Sequence, residues 1–245
     1  MICMTTGERN HAITANLDRI RLTIAEAAAS AGRDASEIKL VAISKNQPIE
    51  LIAAAAAAGQ RIFGENTVQE ALLKLAHFRN EAFEWHFIGH LQSNKAKSIP
   101  GNFPWLHSLD SVSVAQRLAR FASAQHNSLN VLIEVNITHD PAKHGIAPEQ
   151  LLPFLEACLK SPLPGIALRG LMAIGPYPAS EADQRAAFAA VRRLRDKCRE
   201  QFGLPDFQEL SIGMSGDFVP AIKEGATIVR VGTAIFGERD YAKRQ

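Results

Sequence analysis

The chain has 245 residues, of which 47% are hydrophobic and 21% are charged, so its composition is that of a globular protein with enough apolar material for a core. Its net charge of +2 is too small, and its basic residues are too dispersed, to predict nucleic-acid binding. Cys3, Cys158 and Cys198 are widely spaced and odd in number, which predicts neither a disulfide framework nor a zinc site. With no signal-peptide pattern and no apolar stretch of bilayer length, we expect a cytoplasmic protein without membrane contacts.

Helix and strand patterns alternate along the chain after a first amphipathic helix. That helix covers residues 10–31, carries Ile13 and Leu17 on one face and ends at Gly32. The predicted strands are residues 38–44, 61–63, 84–88, 105–109, 130–136, 166–173, 208–212 and 227–231. The predicted helices between them are residues 49–58, 67–78, 94–99, 112–125, 148–160, 181–202 and 218–224, with a short one from residue 234.

Eight strands, each followed by a helix, predict a closed (β/α)8 TIM barrel with an extra N-terminal helix. An open doubly wound sheet is the alternative. No linker or change of composition marks a boundary, so we expect a single domain over residues 1–245.

Lys45 follows the first predicted strand directly, in the segment Lys39-Leu-Val-Ala-Ile-Ser-Lys45. Functional side chains of barrels lie at the carboxyl ends of the strands, which is where this position falls. A lysine amine can lose its proton and form a Schiff base with an aldehyde, which arginine cannot do. The position alone favours a lysine that extends its ammonium group into solvent, and the loops described next reverse that preference.

Two loops near the end of the chain have the composition of an anion site. Ser211-Ile-Gly-Met-Ser-Gly216 follows the seventh strand, and Val231-Gly-Thr-Ala234 follows the eighth. Loops at these two places are the recurrent phosphate site of barrels, although each loop singly also fits a turn glycine with a capping hydroxyl. Because no Gly-Lys-Ser/Thr follows, the pattern is not a nucleotide-binding P-loop.

An aldehyde-reactive lysine and a phosphate cradle at one face predict a phosphorylated aldehyde, with pyridoxal 5′-phosphate as the candidate cofactor. Arg230, in the last strand, is placed to reach the pyridine nitrogen between the lysine and the phosphate. A guanidinium offers only donors, so it would keep that nitrogen unprotonated and make the ring a weak electron sink. The alternative for Arg230 is a salt bridge with Glu224 or Glu238.

By these residues the chain resembles the pyridoxal phosphate homeostasis protein family, which is related to the N-terminal barrel of alanine racemase. The segments that carry the resemblance lie between residues 39 and 241. They are Val41-Ala-Ile-Ser-Lys45, Phe63-Gly-Glu-Asn-Thr-Val-Gln-Glu70, Trp85-His-Phe-Ile-Gly-His-Leu-Gln-Ser-Asn-Lys95, Arg169-Gly-Leu-Met-Ala173, Leu210-Ser-Ile-Gly-Met-Ser215 and Val229-Arg-Val-Gly-Thr-Ala-Ile-Phe-Gly237.

The resemblance implies a protein that binds, buffers and passes on pyridoxal phosphate, with no established catalytic activity. Apo-forms of enzymes that use this cofactor are the candidate recipients, and a monomer is expected, with a weak dimer as the alternative. The implied cofactor-binding residues are Lys45 for the Schiff base, Asn66 beside the ring, Arg230 at the pyridine nitrogen, and Met214, Ser215, Gly232 and Thr233 around the phosphate.

A weak racemase-like enzyme is the alternative function. Racemisation needs two bases on opposite faces of the substrate, and racemase relatives take the second from a domain after the barrel. Here His90 or Tyr177 would have to act against Lys45, while Tyr241 lies in the tail and is expected at the surface.

Four further residues give expectations of their own. His86 alternates with apolar neighbours and is predicted to be a hydrogen-bonded core histidine rather than a catalytic one. His139 and His144 have no partner at ligand spacing, so no metal site is predicted. Lys143 is a candidate for binding a second cofactor phosphate or for handing over the aldehyde.

Overall fold

Eight parallel strands close into a barrel in chain order, with β8 paired to β1, in a computed structural model that describes residues 6–237. The strands are β1 (Lys39–Ile43), β2 (Ile62–Glu65), β3 (Glu84–Phe87), β4 (Trp105–Leu109), β5 (Leu129–Val135), β6 (Ile166–Ala173), β7 (Glu209–Ser211) and β8 (Ile228–Val231). The helices are α1 (Thr6–Ser30), α2 (Ile49–Ala57), α3 (Val68–His77), α4 (Val112–Ala124), α5 (Leu151–Leu159), α6 (Glu181–Phe202), α7 (Phe218–Lys223) and α8 (Thr233–Phe236). The predicted TIM barrel is confirmed, and the open doubly wound sheet is wrong.

The segment between β3 and β4 differs from its prediction. An α-helix is predicted over residues 94–99, whereas Ser93–Ser98 forms a 3₁₀ helix. Six residues between a loop and Pro100 are too few to propagate an α-helix, and short connectors commonly take the tighter form. Strand β2 is also longer than predicted, because Gly64 and Glu65 pair with β3. A charged residue at the end of an apolar run predicts a loop, but the Glu65 side chain is fully buried.

Helix α1 completes the outer ring of helices beside the short helix that the described residues form after β8. It packs against α2, α7 and α8, and α8 is only four residues long. Its apolar face is buried through Ile13, Leu17, Ile20 and Ile24, as the periodicity predicts. The Asn16 side-chain amide donates to the Ile235 carbonyl oxygen at 3.0 Å, which ties α1 to the segment after β8.

Inside the barrel, an apolar cluster and a set of polar side chains share the space between the strands. Val41, Trp105 and Met172 belong to the apolar cluster. His86 and His107 are fully buried polar residues from β3 and β4. Within residues 6–237, no helix has the length and apolar character that crossing a bilayer requires.

Candidate functional site

A cavity of about 660 Å³ lies at the carboxyl ends of the strands. Its lining includes six of the seven predicted cofactor-binding residues: Lys45, Met214, Ser215, Arg230, Gly232 and Thr233. The loop between β6 and α6 adds Tyr177 and Pro178 to the rim. The strand-end positions that the sequence singles out therefore meet at one place.

Asn66 is the predicted residue that does not line the cavity. It follows β2 and is half-buried. Its backbone lies so close to Gly89 that a side chain at Gly89 would collide with the Asn66 carbonyl group. Asn66 thus joins the loops after β2 and β3 through its backbone.

The backbone on both sides of Lys45 is held by a buried lysine of α3. The Lys74 ammonium group donates to the Ser44 carbonyl oxygen and to Glu70 Oε1, both at 2.7 Å. Glu70 Oε1 in turn accepts the Asn46 backbone amide at 2.7 Å. The turn that carries Lys45 is therefore fixed to α3 rather than loosely exposed.

Glu65 completes this cluster as the partner of Lys74. Its Oε1 atom accepts from the Lys74 ammonium group at 2.8 Å and from the Ser44 hydroxyl. Burial raises the pKa of the Glu65 carboxyl, and the charge of Lys74 opposes that rise. Such a pair is stable only while both partners are present, because either one alone would be a buried, uncompensated charge.

The loops after β7 and β8 meet at the Ser215 hydroxyl. Its oxygen accepts the backbone amides of Gly232 and Ala234, each at 3.3 Å. Gly232 lies against β1, where an added Cβ would approach the Ile43 Cβ at 3.3 Å and press on that strand. With its oxygen held by these amides, the Ser215 hydroxyl can donate its hydrogen, and it forms with the Thr233 hydroxyl a pair of donors of the kind that binds a phosphate group.

Arg230 lines the cavity from inside the barrel and is 4% exposed. It donates to the Ser211 carbonyl oxygen at 2.5 Å, to the Ser211 hydroxyl at 2.7 Å and to the Ala173 carbonyl oxygen at 3.1 Å. Burial lowers the pKa of the guanidinium to about 10, and the carboxyls of Glu134 and Asp217 act against that shift. Because that value lies far above neutrality, Arg230 stays charged and remains a pure donor.

The alternative of a salt bridge between Arg230 and Glu224 is wrong. Glu224 pairs instead with Arg185 at 2.7 Å and with Arg192 at 3.1 Å, both on α6. Glu238, the other proposed partner, lies outside the described residues.

Two buried carboxyls whose charges act on Arg230 are not predicted from the sequence as site residues. Glu134 lies in β5, and its pKa is raised to about 7 by burial and by the charge of Asp110, with Arg230 opposing. Asp217 lines the cavity, and burial raises its pKa as well. The sequence does contain a signal for Glu134, because it is the single charged residue of β5 and follows the apolar residues 131–133.

His144 has neighbours that its sequence spacing does not show. Its ring stacks on His90 with centroids 3.9 Å apart and planes 9° apart, and His90 Nδ1 lies 3.4 Å from Asp110 Oδ2. One donor atom from each of the three lies within 4.8 Å of the others. Nearly parallel rings keep their nitrogen lone pairs in separate planes, so the two imidazoles do not converge on one ion as tetrahedral ligands do. We assign no metal to this cluster.

The other residues considered from the sequence lie in the core, at the rim of the cavity or outside the described residues. His86 is a buried histidine hydrogen-bonded to His107 and Glu84, which confirms its predicted core role. Tyr177 is 88% exposed at the rim. The Lys143 ammonium group donates to the Gly175 carbonyl oxygen at 3.2 Å, close to the same rim. Tyr241 lies outside the described residues.

The sequence is similar to a family model and to curated proteins along almost its whole length. Residues 13–240 match the model of the alanine racemase N-terminal domain. A pyridoxal phosphate homeostasis protein of Pseudomonas aeruginosa is 46% identical over 94% of this chain and 96% of its own length. The protein of the same name in Escherichia coli is 43% identical over 95% of this chain and 99% of its own length.

Solved structures have the same fold. PipY of Synechococcus elongatus with PLP bound has a TM-score of 0.81 and 38% identity, covering 92% of this chain and 100% of PipY. An alanine racemase of Corynebacterium glutamicum has a TM-score of 0.67 at 18% identity, covering 96% of this chain and 63% of the racemase, which is a likeness of fold alone.

Proposed function

This chain belongs to the pyridoxal phosphate homeostasis protein family, and we propose that it binds pyridoxal 5′-phosphate on Lys45, buffers it and delivers it to other proteins. PipY, at 38% identity, was solved with this cofactor bound. The observation that carries the proposal in this chain is the single cavity that Lys45, Arg230 and the two anion-binding loops share. A cofactor with an aldehyde at one end, a phosphate at the other and a ring nitrogen between them matches that set of groups.

The donors in the cavity fit the phosphate of this cofactor. The hydroxyls of Ser215 and Thr233 can each donate to a phosphate oxygen, while the amides of Gly232 and Ala234 hold the Ser215 oxygen in place. They belong to the loops after β7 and β8, where barrels commonly bind phosphate. The cofactor's aldehyde, at the other end, supplies the carbon to which the Lys45 amine forms a Schiff base.

The arginine in the interior favours binding over catalysis. Arg230 offers only donor hydrogens, so a ring nitrogen facing it accepts a hydrogen bond and stays unprotonated. Chemistry at the α-carbon of an amino acid benefits from a protonated ring nitrogen, which this contact disfavours. Of the two candidate opposing bases, Tyr177 is largely in solvent and His90 is also an exposed residue, so neither is shielded from water.

Delivery to apo-forms of enzymes that use the cofactor is the second part of the proposal. The cavity is at the rim of the barrel, and its wall includes the exposed Tyr177. Lys143 lies near this rim and is the candidate for accepting the aldehyde from Lys45 during release. We propose that the chain acts as a monomeric barrel over residues 1–245 in this process. Slower transfer from the Lys143→Ala protein to an apo-enzyme would support the role of Lys143, and unchanged transfer would remove it.

Cofactor binding is tested by incubating the protein with pyridoxal phosphate, removing free cofactor by gel filtration and recording the visible spectrum. We expect close to one bound cofactor per chain. The Ser215→Ala/Thr233→Val double variant removes two phosphate donors and should bind at least about tenfold more weakly, since hydrogen bonds to charged groups contribute about 1.5–3 kcal/mol each. Ser113→Ala, at an exposed position of α4, is the matched control. A protein that retains no cofactor would overturn the proposal.

A further inference from the structure

A continuous line of hydrogen bonds runs through the barrel interior from Arg230 to Glu84. Arg230 donates to the Ser211 hydroxyl at 2.7 Å, and that hydroxyl lies 2.9 Å from His107 Nδ1. His107 Nε2 lies 2.8 Å from His86 Nδ1. His86 Nε2 then lies 2.8 Å from Glu84 Oε1. Four strands, β3, β4, β7 and β8, contribute to this line.

The two ends of the line lie at opposite ends of the barrel. Arg230 lines the cavity at the carboxyl ends of the strands. Glu84 is the first residue of β3, at the amino ends, and its side chain is 39% exposed. The three residues between them are completely buried. A buried polar line of this length is costly unless every member is satisfied, so it is not a by-product of packing.

The groups at the two ends, Arg230 and Glu84, fix which atom donates in every hydrogen bond of the line. Arg230 has only donors, so the Ser211 oxygen accepts and its own hydrogen is left for His107 Nδ1. A neutral His107 with an accepting Nδ1 carries its proton on Nε2 and donates it to His86 Nδ1. His86 then also carries its proton on Nε2 and donates it to the Glu84 carboxylate.

Both histidines are held in the neutral form by their surroundings. Burial is the main cause that lowers the pKa of each imidazole, and the charges of Arg230 and Lys39 act in the same direction on His107. The hydrogen bond to Glu84 and the charge of Glu209 oppose the shift on His86, while Lys39 adds to it. The hydrogen bond from His86 lowers the pKa of Glu84, so that this end stays ionised.

We propose that Glu84, His86, His107 and Ser211 form a one-directional relay of positioning residues that fixes the orientation of Arg230 at the cofactor's ring nitrogen. The proposal rests on the proposed function for placing that nitrogen at Arg230. The relay couples a carboxylate at the far end of the barrel to the electronic state of the bound cofactor. The relay thereby holds the guanidinium group in place, while the donor hydrogens of that group that face the cavity stay available to the ligand.

The first test uses the unmodified protein without cofactor, so it does not depend on the proposed function. Nitrogen-15 NMR of the imidazole side chains reports which ring nitrogen carries the proton. We expect His86 and His107 both to be neutral and protonated on Nε2 between pH 6 and pH 8. A proton on Nδ1 of either ring, or a charged ring in this range, would overturn the relay.

The second test measures the pH titration of the visible absorbance of the cofactor-loaded protein in a double-mutant cycle. Glu84→Gln removes the negative charge that polarises the relay, so the Ser211 oxygen accepts less strongly from Arg230 and a protonated Schiff base becomes less favourable. We expect the titration midpoint to fall by about half a pH unit, a threefold change in the ionisation constant. Glu209→Gln is the matched control, because it removes the same charge at the same end of the barrel outside the hydrogen-bonded line.

Repeating Glu84→Gln in the Ser211→Ala protein distinguishes a hydrogen-bonded relay from a through-space electrostatic effect of Glu84. With the link to Arg230 cut, the effect of Glu84→Gln should shrink to less than about a third of its size. An equal shift in both backgrounds, or an equal shift from Glu209→Gln, would contradict the relay. A protein that shows the expected imidazole protonation but binds no cofactor would remove the proposed function and leave the hydrogen-bonded line intact.

Discussion

Glu134 and Arg230 are buried residues of opposite charge at the same end of the barrel. The Glu134 carboxyl has its pKa raised from 4.5 to about 7, because burial and the charge of Asp110 disfavour ionisation more strongly than Arg230 favours it. A group with this pKa binds a proton in the folded state over a pH range where the unfolded chain has released it. Glu134 therefore makes the folded state sensitive to pH near neutrality.

The Glu134→Gln variant should be more stable than the parent protein at pH 8 and similar at pH 4.5. Because the folded pKa is raised, the parent loses stability as the pH rises from about 4.5 to about 7, by up to about 3 kcal/mol at 1.36 kcal/mol per pKa unit. Thermal unfolding of the cofactor-free proteins at several pH values measures this difference. Glu26→Gln, at an exposed position of α1, is the control. A stability difference that does not change with pH would contradict the raised pKa.

At the scale of elements, the turn between β1 and α2 depends on α3 through one lysine. The Lys74 side chain is 5% exposed and bonds both Glu65 and Glu70, and it also holds the Ser44 carbonyl group. Removing one partner of a buried pair leaves the other charge without compensation. The geometry around Lys45 is thus a property of three elements together.

Lys74→Met should lower the free energy of unfolding by about 3–5 kcal/mol, since it leaves Glu65 buried and unpaired. Urea unfolding measures this loss. Lys97→Met, at an exposed lysine of the 3₁₀ segment, should change stability by less than about 0.5 kcal/mol. Adding Glu65→Gln to Lys74→Met should restore part of the loss. No recovery in the double variant would show that the ion pair is not the source of the effect.

Helix α1 offers a matched pair of leucines for testing its role in the outer ring. Leu17 is fully buried against the core, whereas Leu22 is 60% exposed on the same helix. Leu17→Ala should cost about 2–5 kcal/mol, and Leu22→Ala less than about 1 kcal/mol, in urea unfolding. Equal costs for the two substitutions would mean that α1 does not pack on the barrel as described.

The sequence predicts the barrel and most of its cavity because both follow local rules. Apolar runs of strand length, turn glycines and the order of elements are visible in the chain itself, and the residues after strand ends are known to meet at one face. Lys45 and Arg230 are found in this way. The 3₁₀ form of Ser93–Ser98 is missed because helix type depends on how far a short segment can propagate.

What the sequence does not predict is side-chain pairing between distant elements. Glu65 with Lys74, and His107 with Ser211, join residues that no sequence spacing connects. His144 has neighbours in His90 and Asp110 for the same reason. A single charged or polar residue inside an apolar strand, as at Glu134, is the sequence signal that would have revealed part of this set.

At the scale of the whole molecule, the cavity opens at one end of a barrel and its rim includes an exposed tyrosine. Tyr177 is 88% exposed, and the cavity of about 660 Å³ that it borders is lined by the strand residues Ile43 and Arg230 and by the loops that follow the strands. A site of this kind excludes water poorly, which favours exchange of a bound cofactor over stabilisation of a reactive carbanion. The openness of the cavity therefore supports the proposed uptake and release of the cofactor.

The loaded protein should not exchange the α-proton of alanine with deuterium faster than free pyridoxal phosphate does. Proton NMR in deuterium oxide, with the chirality of the alanine followed in parallel, measures this. The physical reason is the proposed contact of Arg230 with the ring nitrogen, which would keep that nitrogen unprotonated, together with the exposure of Tyr177, the candidate opposing base at the rim. Exchange well above the rate with free cofactor, and lost in Tyr177→Phe, would favour the racemase-like alternative.

The most direct test of the central claim is borohydride reduction of the cofactor-loaded protein, followed by peptide mass mapping. We expect one reduced pyridoxyl group on the peptide that contains Lys45, its loss in Lys45→Ala, and its retention in Lys95→Ala. No adduct, or an adduct confined to another lysine, would contradict the assignment of Lys45 as the cofactor-binding residue.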